Sequence, residues 1–188
     1  MIISLSGSPG SGKTSAAKLV AERLGLPFYS VGGLRGKMAM ERGLTINQLN
    51  EIGETDKSTD TIVDEYQKEL GKKEDGFVIE GRLSWYFIPH SFKVFLQCDS
   101  NEAAKRIFEE HQNGAQNRAD EQKYETVEET RKALDRRIGS DVIRYEKYYD
   151  VDYRDPKHFD LVLDTTENQG PEQTAEQILS ALKRLHKI

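Results

Sequence analysis

A single cysteine in 188 residues, Cys98, excludes a disulfide framework and a cysteine metal cluster. It sits in the apolar run VFLQC, where a buried and inert thiol suits a reducing cytosol. No stretch approaches the roughly 20 apolar residues that a membrane span needs. An apolar strand begins at residue 2, which leaves no room for a charged leader, so a cytoplasmic chain without signal peptide or membrane contact is expected. Basic charge is also scarce. Lys and Arg number 27 against 32 Asp and Glu, a net charge of −5, which argues against broad nucleic-acid binding because that normally needs a basic face. Local arginine clusters can still attract small anions. No internal repeat is present, and neither the D-x-x-G switch nor the N-K-x-D guanine reader of a regulatory GTPase occurs. The length fits one domain with a real core, expected as a monomer.

What the sequence does have begins at residue 7. The stretch GSPGSGKT fits G-x-x-x-x-G-K-[ST], with Gly7, Gly12, Lys13 and Thr14 in the fixed places. Ile2, Ile3 and Leu5 before it read as a short buried strand. After it, Ala17, Val20, Ala21 and Leu24 recur at helical spacing. Glycines at 7, 10 and 12 let the backbone fold tightly with N–H groups turned inward, the helix N-terminus adds partial positive charge, and Lys13 adds a full one. A polyphosphate fits such a cavity. The Thr14 hydroxyl can then meet the Mg²⁺ that accompanies a nucleoside triphosphate, and the predicted ATP site comprises Gly7, Ser8, Pro9, Gly10, Ser11, Gly12, Lys13, Thr14 and Ser15.

Four more apolar strands follow, at 27–30, 76–80, 92–98 and 159–165, separated by amphipathic helices. Strands alternating with helices predict an α/β protein, a three-layer sandwich whose five-stranded parallel sheet carries helices on both faces. Ligands in such sheets bind beyond the C-terminal strand ends. Strand two ends in SVGGLRGK and strand three in EGRLS, so each delivers a glycine and an arginine, Arg35 or Arg82, to the edge that holds the phosphate loop. An arginine there matches a phosphate, because its planar fork gives paired charge-assisted hydrogen bonds. Glu80 can orient metal-bound waters or pair with Arg82. Arg137 and Arg144, seven apart, share one helix face and can approach one anion together; a solvated face on which Asp141 and Glu146 pair with the arginines is the alternative that charge patterning leaves open. The polar segment 109–125 is either a solvated loop or a mobile lid.

The phosphate loop, the S-x-G of Ser30 and Gly32, the EGRLS after strand three, the RIGSDVIRY segment, and YDVDYRD with FDLVLDT near the end together resemble the cytidylate kinases of short archaeal type, over nearly the whole chain. The resemblance implies transfer of the γ-phosphoryl group of ATP to CMP or dCMP, with UMP or AMP as the nearest alternative acceptor. Kinases of small metabolites such as shikimate or gluconate share the phosphate loop. It further implies a core at 1–33, 76–110 and 141–188, a monophosphate-binding subdomain at 34–75 and a lid at 111–140. Lys13 would hold the β,γ-phosphates, Thr14 the Mg²⁺, Arg82 and Arg35 the acceptor phosphate with Ser30 and Gly32 beside them, and Arg137 with Arg144 the transferring group. One departure stands out: the family commonly has an acidic residue followed by Phe-Arg after S-x-G, where this chain has Gly33, Leu34, Arg35 and Gly36. Asp60, Asp64 and Gln67 share one face of a predicted helix, so Asp60 or Asp64 is expected to accept from the cytosine amino group, which uracil replaces with a carbonyl.

Overall fold

A computed structural model of the chain describes residues 1–113 and 124–188. Five strands, β1 (Ile3–Gly7), β2 (Phe28–Ser30), β3 (Val78–Glu80), β4 (Phe92–Gln97) and β5 (Leu161–Asp164), form one sheet in the order β2-β3-β1-β4-β5. Every pairing is parallel. The five predicted strands are all present, and the predicted fold class holds.

Alternation along the strands sorts their side chains onto two buried faces. Ile3, Leu5, Val78, Val94 and Leu96 pack with Ala16, Ala17 and Val20 of α1 (Lys13–Leu24) and with Ile178 and Leu182 of α8 (Pro171–Arg184). Ile2, Phe77 and Ile79 turn the other way, onto α2 (Val31–Glu41), α3 (Ile46–Gly53) and α4 (Ser58–Lys73). Phe95 and Val162 complete that second face against α5 (Ser84–Phe87), α7 (Val127–Tyr149) and Tyr153. The remaining helix, α6 (Ser100–Gln112), packs through Ala103, Ala104 and Ile107 against Leu134 of α7. Helices thus cover both faces of the sheet. Among the described residues, no helix is long and apolar enough to cross a membrane.

The helices between β2 and β3 are punctuated by caps. The Ser30 hydroxyl accepts from Gly33 N at 3.0 Å and starts α2, and Thr45 with Gln48 forms a reciprocal capping box that starts α3. Thr126 caps α7, which runs unbroken for 23 residues, about 35 Å, until Asp150 turns left-handed at φ 55°. The boundaries expected at 33/34 and 140/141 fall inside α2 and α7. The backbone is therefore continuous helix across both expected boundaries. Arg118 and the middle of the expected lid lie outside the described residues.

Candidate active site

The phosphate loop fixes its shape through three glycines of positive φ. Gly7 stands at 151°, and a Cβ there would meet the Leu96 carbonyl oxygen at 2.3 Å; Gly10 stands at 75°, with Ala103 2.7 Å from the same imagined atom. Gly12, at 77°, caps α1 and faces open space. With no acidic side chain in its first turn, α1 turns unneutralised N–H groups toward the loop. Ser11 Oγ donates to Ser8 O at 2.8 Å, Thr165 Oγ1 donates to Ser11 O at 3.2 Å, and Lys13 Nζ reaches Ser8 O at 3.4 Å. Thr14 and Ser15 open the helix beside Lys13, and Pro9 is buried in the bend. This cradle of backbone donors, one lysine and one threonine hydroxyl fits a triphosphate and its magnesium ion.

Beside the loop lies a buried chain of alternating charges. Arg82, just after β3, donates through Nη1 to Gly7 O at 2.8 Å and through Nε to Asp141 Oδ2 at 3.0 Å. The other oxygen of Asp141 accepts from Arg144 Nη2 at 2.5 Å. Arg144 Nη1 donates to both oxygens of Asp60, at 2.7 and 3.0 Å, and Arg35 Nη1 reaches Asp60 Oδ1 at 2.6 Å. Arg35 is further held by Asn50 Oδ1 and Thr59 O. The sequence Arg35, Asp60, Arg144, Asp141, Arg82 thus connects three arginines through two carboxylates and ends on the phosphate loop itself.

Burial makes these pairs matter, since losing one partner leaves the other charge uncompensated away from water, whereas exposed pairs contribute little. Arg144 is fully buried and Asp141 is 3% exposed. Burial opposes ionisation of Asp141, but Arg82 and Arg144 outweigh it and hold the carboxyl below the usual range. For Arg144 the balance is similar: burial works against the charge, while Tyr145, whose ring lies 5.0 Å from the guanidinium, together with Asp141 and Asp60, raises its pKa. Arg35 goes the opposite way. Burial and then the neighbouring Arg144 pull it down more than Asp60 holds it up.

Most of the residues named from sequence converge here. Ser30 bonds the Glu80 carboxylate, so Glu80 supports the start of α2, and the pairing open to Arg82 goes to Asp141 instead. Arg144 does pair with Asp141, yet on a buried face where charge patterning also allowed a solvated one. Arg137 lies half-buried one turn before Asp141 and adds to the charge that holds it ionised. A Cβ at Gly32 would stand 3.5 Å from Glu80 Oε1. All three of Asp60, Asp64 and Gln67 lie on one face of α4, as spacing implied, and that face is buried. Their partners differ from expectation: both oxygens of Asp60 accept from arginines, and Gln67 accepts from the Ser84 hydroxyl of α5 at 2.8 Å. Asp64 Oδ2 accepts from the Tyr149 hydroxyl at 2.5 Å, and burial raises its pKa to about 6.

Sequence reasoning missed Asp141 as the junction of two arginines, and Gly53, where a Cβ would stand 2.9 Å from Arg144 Cδ. Its spacing from Arg137 and Arg144 offered Asp141 as a partner for an arginine of its own helix, and nothing in the sequence pointed to the second link, to Arg82.

Comparison with known proteins bears on the chemistry. The family described as "Cytidylate kinase-like family" matches residues 2–167. A cytidylate kinase of Methanocella arvoryzae is 38% identical over 166 residues, 88% of each chain. Another, of Methanospirillum hungatei, is 34% identical over 188 residues, 100% of this chain and 99% of that one. Among solved structures, a shikimate kinase of Bacteroides thetaiotaomicron superposes with a TM-score of 0.63 at 17% identity, over 97% of this chain and 98% of that one, which shows a shared fold.

Proposed function

Because the chain belongs to the cytidylate kinase-like family, we propose that it is a nucleoside monophosphate kinase that moves the γ-phosphoryl group of ATP to CMP or dCMP, giving ADP and CDP or dCDP. The observation that carries this reading is Arg82, which grips the carbonyl of Gly7 in the phosphate loop with one nitrogen and Asp141 with another. Donor-side and acceptor-side residues therefore form one rigid assembly. Proximity and orientation are what this reaction needs most, because the acceptor is already an anionic oxygen and no strong base is required.

ATP supplies the phosphoryl group, and Mg²⁺ offsets the charge of its phosphates. Within Gly7–Ser15 the inward backbone N–H groups, which Pro9 alone lacks, would bind them, Lys13 would hold the β,γ-phosphates, and Thr14 would meet the metal. Arg82 and Arg35 orient the acceptor phosphate, with Ser30 and Gly32 fixing the start of the helix that carries Arg35. Arg144 and Arg137 face the transferring group. Of the two aspartates on α4, Asp64 is the one we assign to base reading, since the oxygens of Asp60 are occupied by guanidinium groups. An ionised Asp64 accepts from the cytosine amino group and repels the uracil carbonyl.

Coupled ADP release tests the proposal. With ATP and Mg²⁺ present, turnover should rise sharply on adding CMP or dCMP and less with UMP or AMP. A rate indifferent to CMP would overturn the reaction class, and a preference for AMP would overturn the base assignment alone.

A further inference from the structure

Two of the arginines assigned above to phosphate groups already share an anion that belongs to the chain. Asp60 lies between Arg35 Nη1 and Arg144 Nη1, all three residues being less than a tenth exposed. Guanidinium groups this close repel one another, and Arg144 is, after burial, the main influence weakening the charge of Arg35. A carboxylate between them offsets that repulsion. It does not exhaust their donors: Arg35 Nη2 and Arg144 Nε are buried with no hydrogen-bond acceptor among the described residues. Buried charged donors left without acceptors are costly, and they mark a place that gains when an anion arrives.

Charge counting points the same way. Along the bonded chain, Arg35, Arg82 and Arg144 face Asp60 and Asp141, which leaves one positive charge over. Asp64, the next carboxyl along α4, bonds Tyr149 and not an arginine. Gly53 keeps the arginines pressed together, since any side chain there would collide with Arg144 Cδ and Thr59 Oγ1.

We propose that Asp60 is an internal counter-anion between Arg35 of the acceptor site and Arg144 of the transfer site: it holds the two side by side before the monophosphate binds and, by competing for the donors of Arg35, lowers the affinity for it. Asp60 is thus a positioning residue that sets acceptor affinity. The inference rests on the reading that these arginines face phosphate groups. In the free protein, Asp60→Asn leaves three buried arginines with one carboxylate. The incoming phosphate then replaces a missing charge as well as adding its own contacts, so the bound state loses less than the free state.

The test is a cycle of four proteins: wild type, Asp60→Asn, Arg35→Gln and the double variant. Asp60→Asn should lower the KM for CMP by about tenfold, within the range that coupling between contacting charges produces, while the KM for ATP stays unchanged. Inorganic phosphate and CMP should each raise its melting temperature by more than they raise that of wild type. A plain structural ion pair would instead lower the melting temperature without enlarging the ligand-induced shift. Should Asp60→Asn fail to fold, the double variant decides, because it removes one charge of each sign: its KM for CMP should lie below that of Arg35→Gln. A KM for CMP that is unchanged or raised in both backgrounds overturns the inference. If wild type phosphorylates no monophosphate, the functional reading fails, and the phosphate-induced melting shifts still judge Asp60.

Discussion

Gly10 and Lys13 show how much a single residue can carry in the phosphate loop. At φ 75° a side chain at position 10 is strained, and its Cβ would also press on Ala103, so Gly10→Ala should cost about 1–3 kcal/mol of stability and raise the KM for ATP. Thermal melts and initial rates measure both. Lys13 sits outside the core clusters, so Lys13→Ala should keep the melting temperature within a few degrees and lose about 10²–10³-fold in kcat, the usual cost of removing one group that stabilises transition-state charge. Normal turnover in that variant would remove Lys13 from the mechanism. These two residues were legible because the motif is local: eight consecutive residues in sequence are neighbours in space. Asp141 was not. Its bond to Arg82 spans 59 positions and the Arg144 bond to Asp60 spans 84, and no periodicity within one helix reports a partner that far away.

At the scale of elements, the seam between α7 and the α3–α4 pair is a second structure that sequence only half revealed. The spacing along α4 placed Asp60, Asp64 and Gln67 on one face, but that this face is buried and what it meets depend on tertiary packing. It meets α7: Tyr149 donates to Asp64, Tyr148 Oη donates to Gly53 O at 2.9 Å, and Lys147 Nζ donates to Glu54 O at 2.7 Å. Lys57 adds its ammonium over the rings of Tyr148 and Tyr149, at 5.6 and 5.1 Å. The buried carboxyl makes this seam sensitive to pH. The folded pKa of Asp64, about 6, exceeds its ordinary value near 3.8, so the folded state binds its proton more tightly than the unfolded chain does. Its contribution to stability is therefore full below pH 4 and is lost as pH rises from about 4 to about 6. Asp64→Asn keeps an acceptor for Tyr149 without a charge to bury. Its melting temperature relative to wild type should move upward between pH 4 and pH 7, and a constant difference would show that Asp64 is not held protonated at low pH. The same variant should narrow the preference for CMP over UMP at pH 8, where Asp64 is ionised.

For the molecule as a whole, the sheet was readable and its wiring was not. Parallel strands with helices on both faces follow from short apolar runs alternating with amphipathic segments. The order β2-β3-β1-β4-β5 does not, since it is decided by which strands pair across long crossovers. That order puts β1 between β3 and β4, and so puts Arg82 beside the phosphate loop. Because Arg82 joins the loop to α7, and α7 joins α4 through Asp60, acceptor binding should be felt across elements distant in sequence and confined to that route. Hydrogen exchange can follow it. Adding CMP alone should slow exchange in α3, α4 and the Ser140–Tyr149 part of α7 together, because they share the arginine cluster. Adding an unreactive ATP analogue with Mg²⁺ should protect the phosphate loop and the first turns of α1 first. With both ligands, or a bisubstrate analogue, protection should extend into residues 124–140, as a lid closing over the phosphates requires. If CMP slows α4 and leaves α7 unchanged, the buried charge chain does not couple them. If 124–140 exchange equally fast with and without ligand, that segment does not close over the phosphates and water exclusion must come from elsewhere.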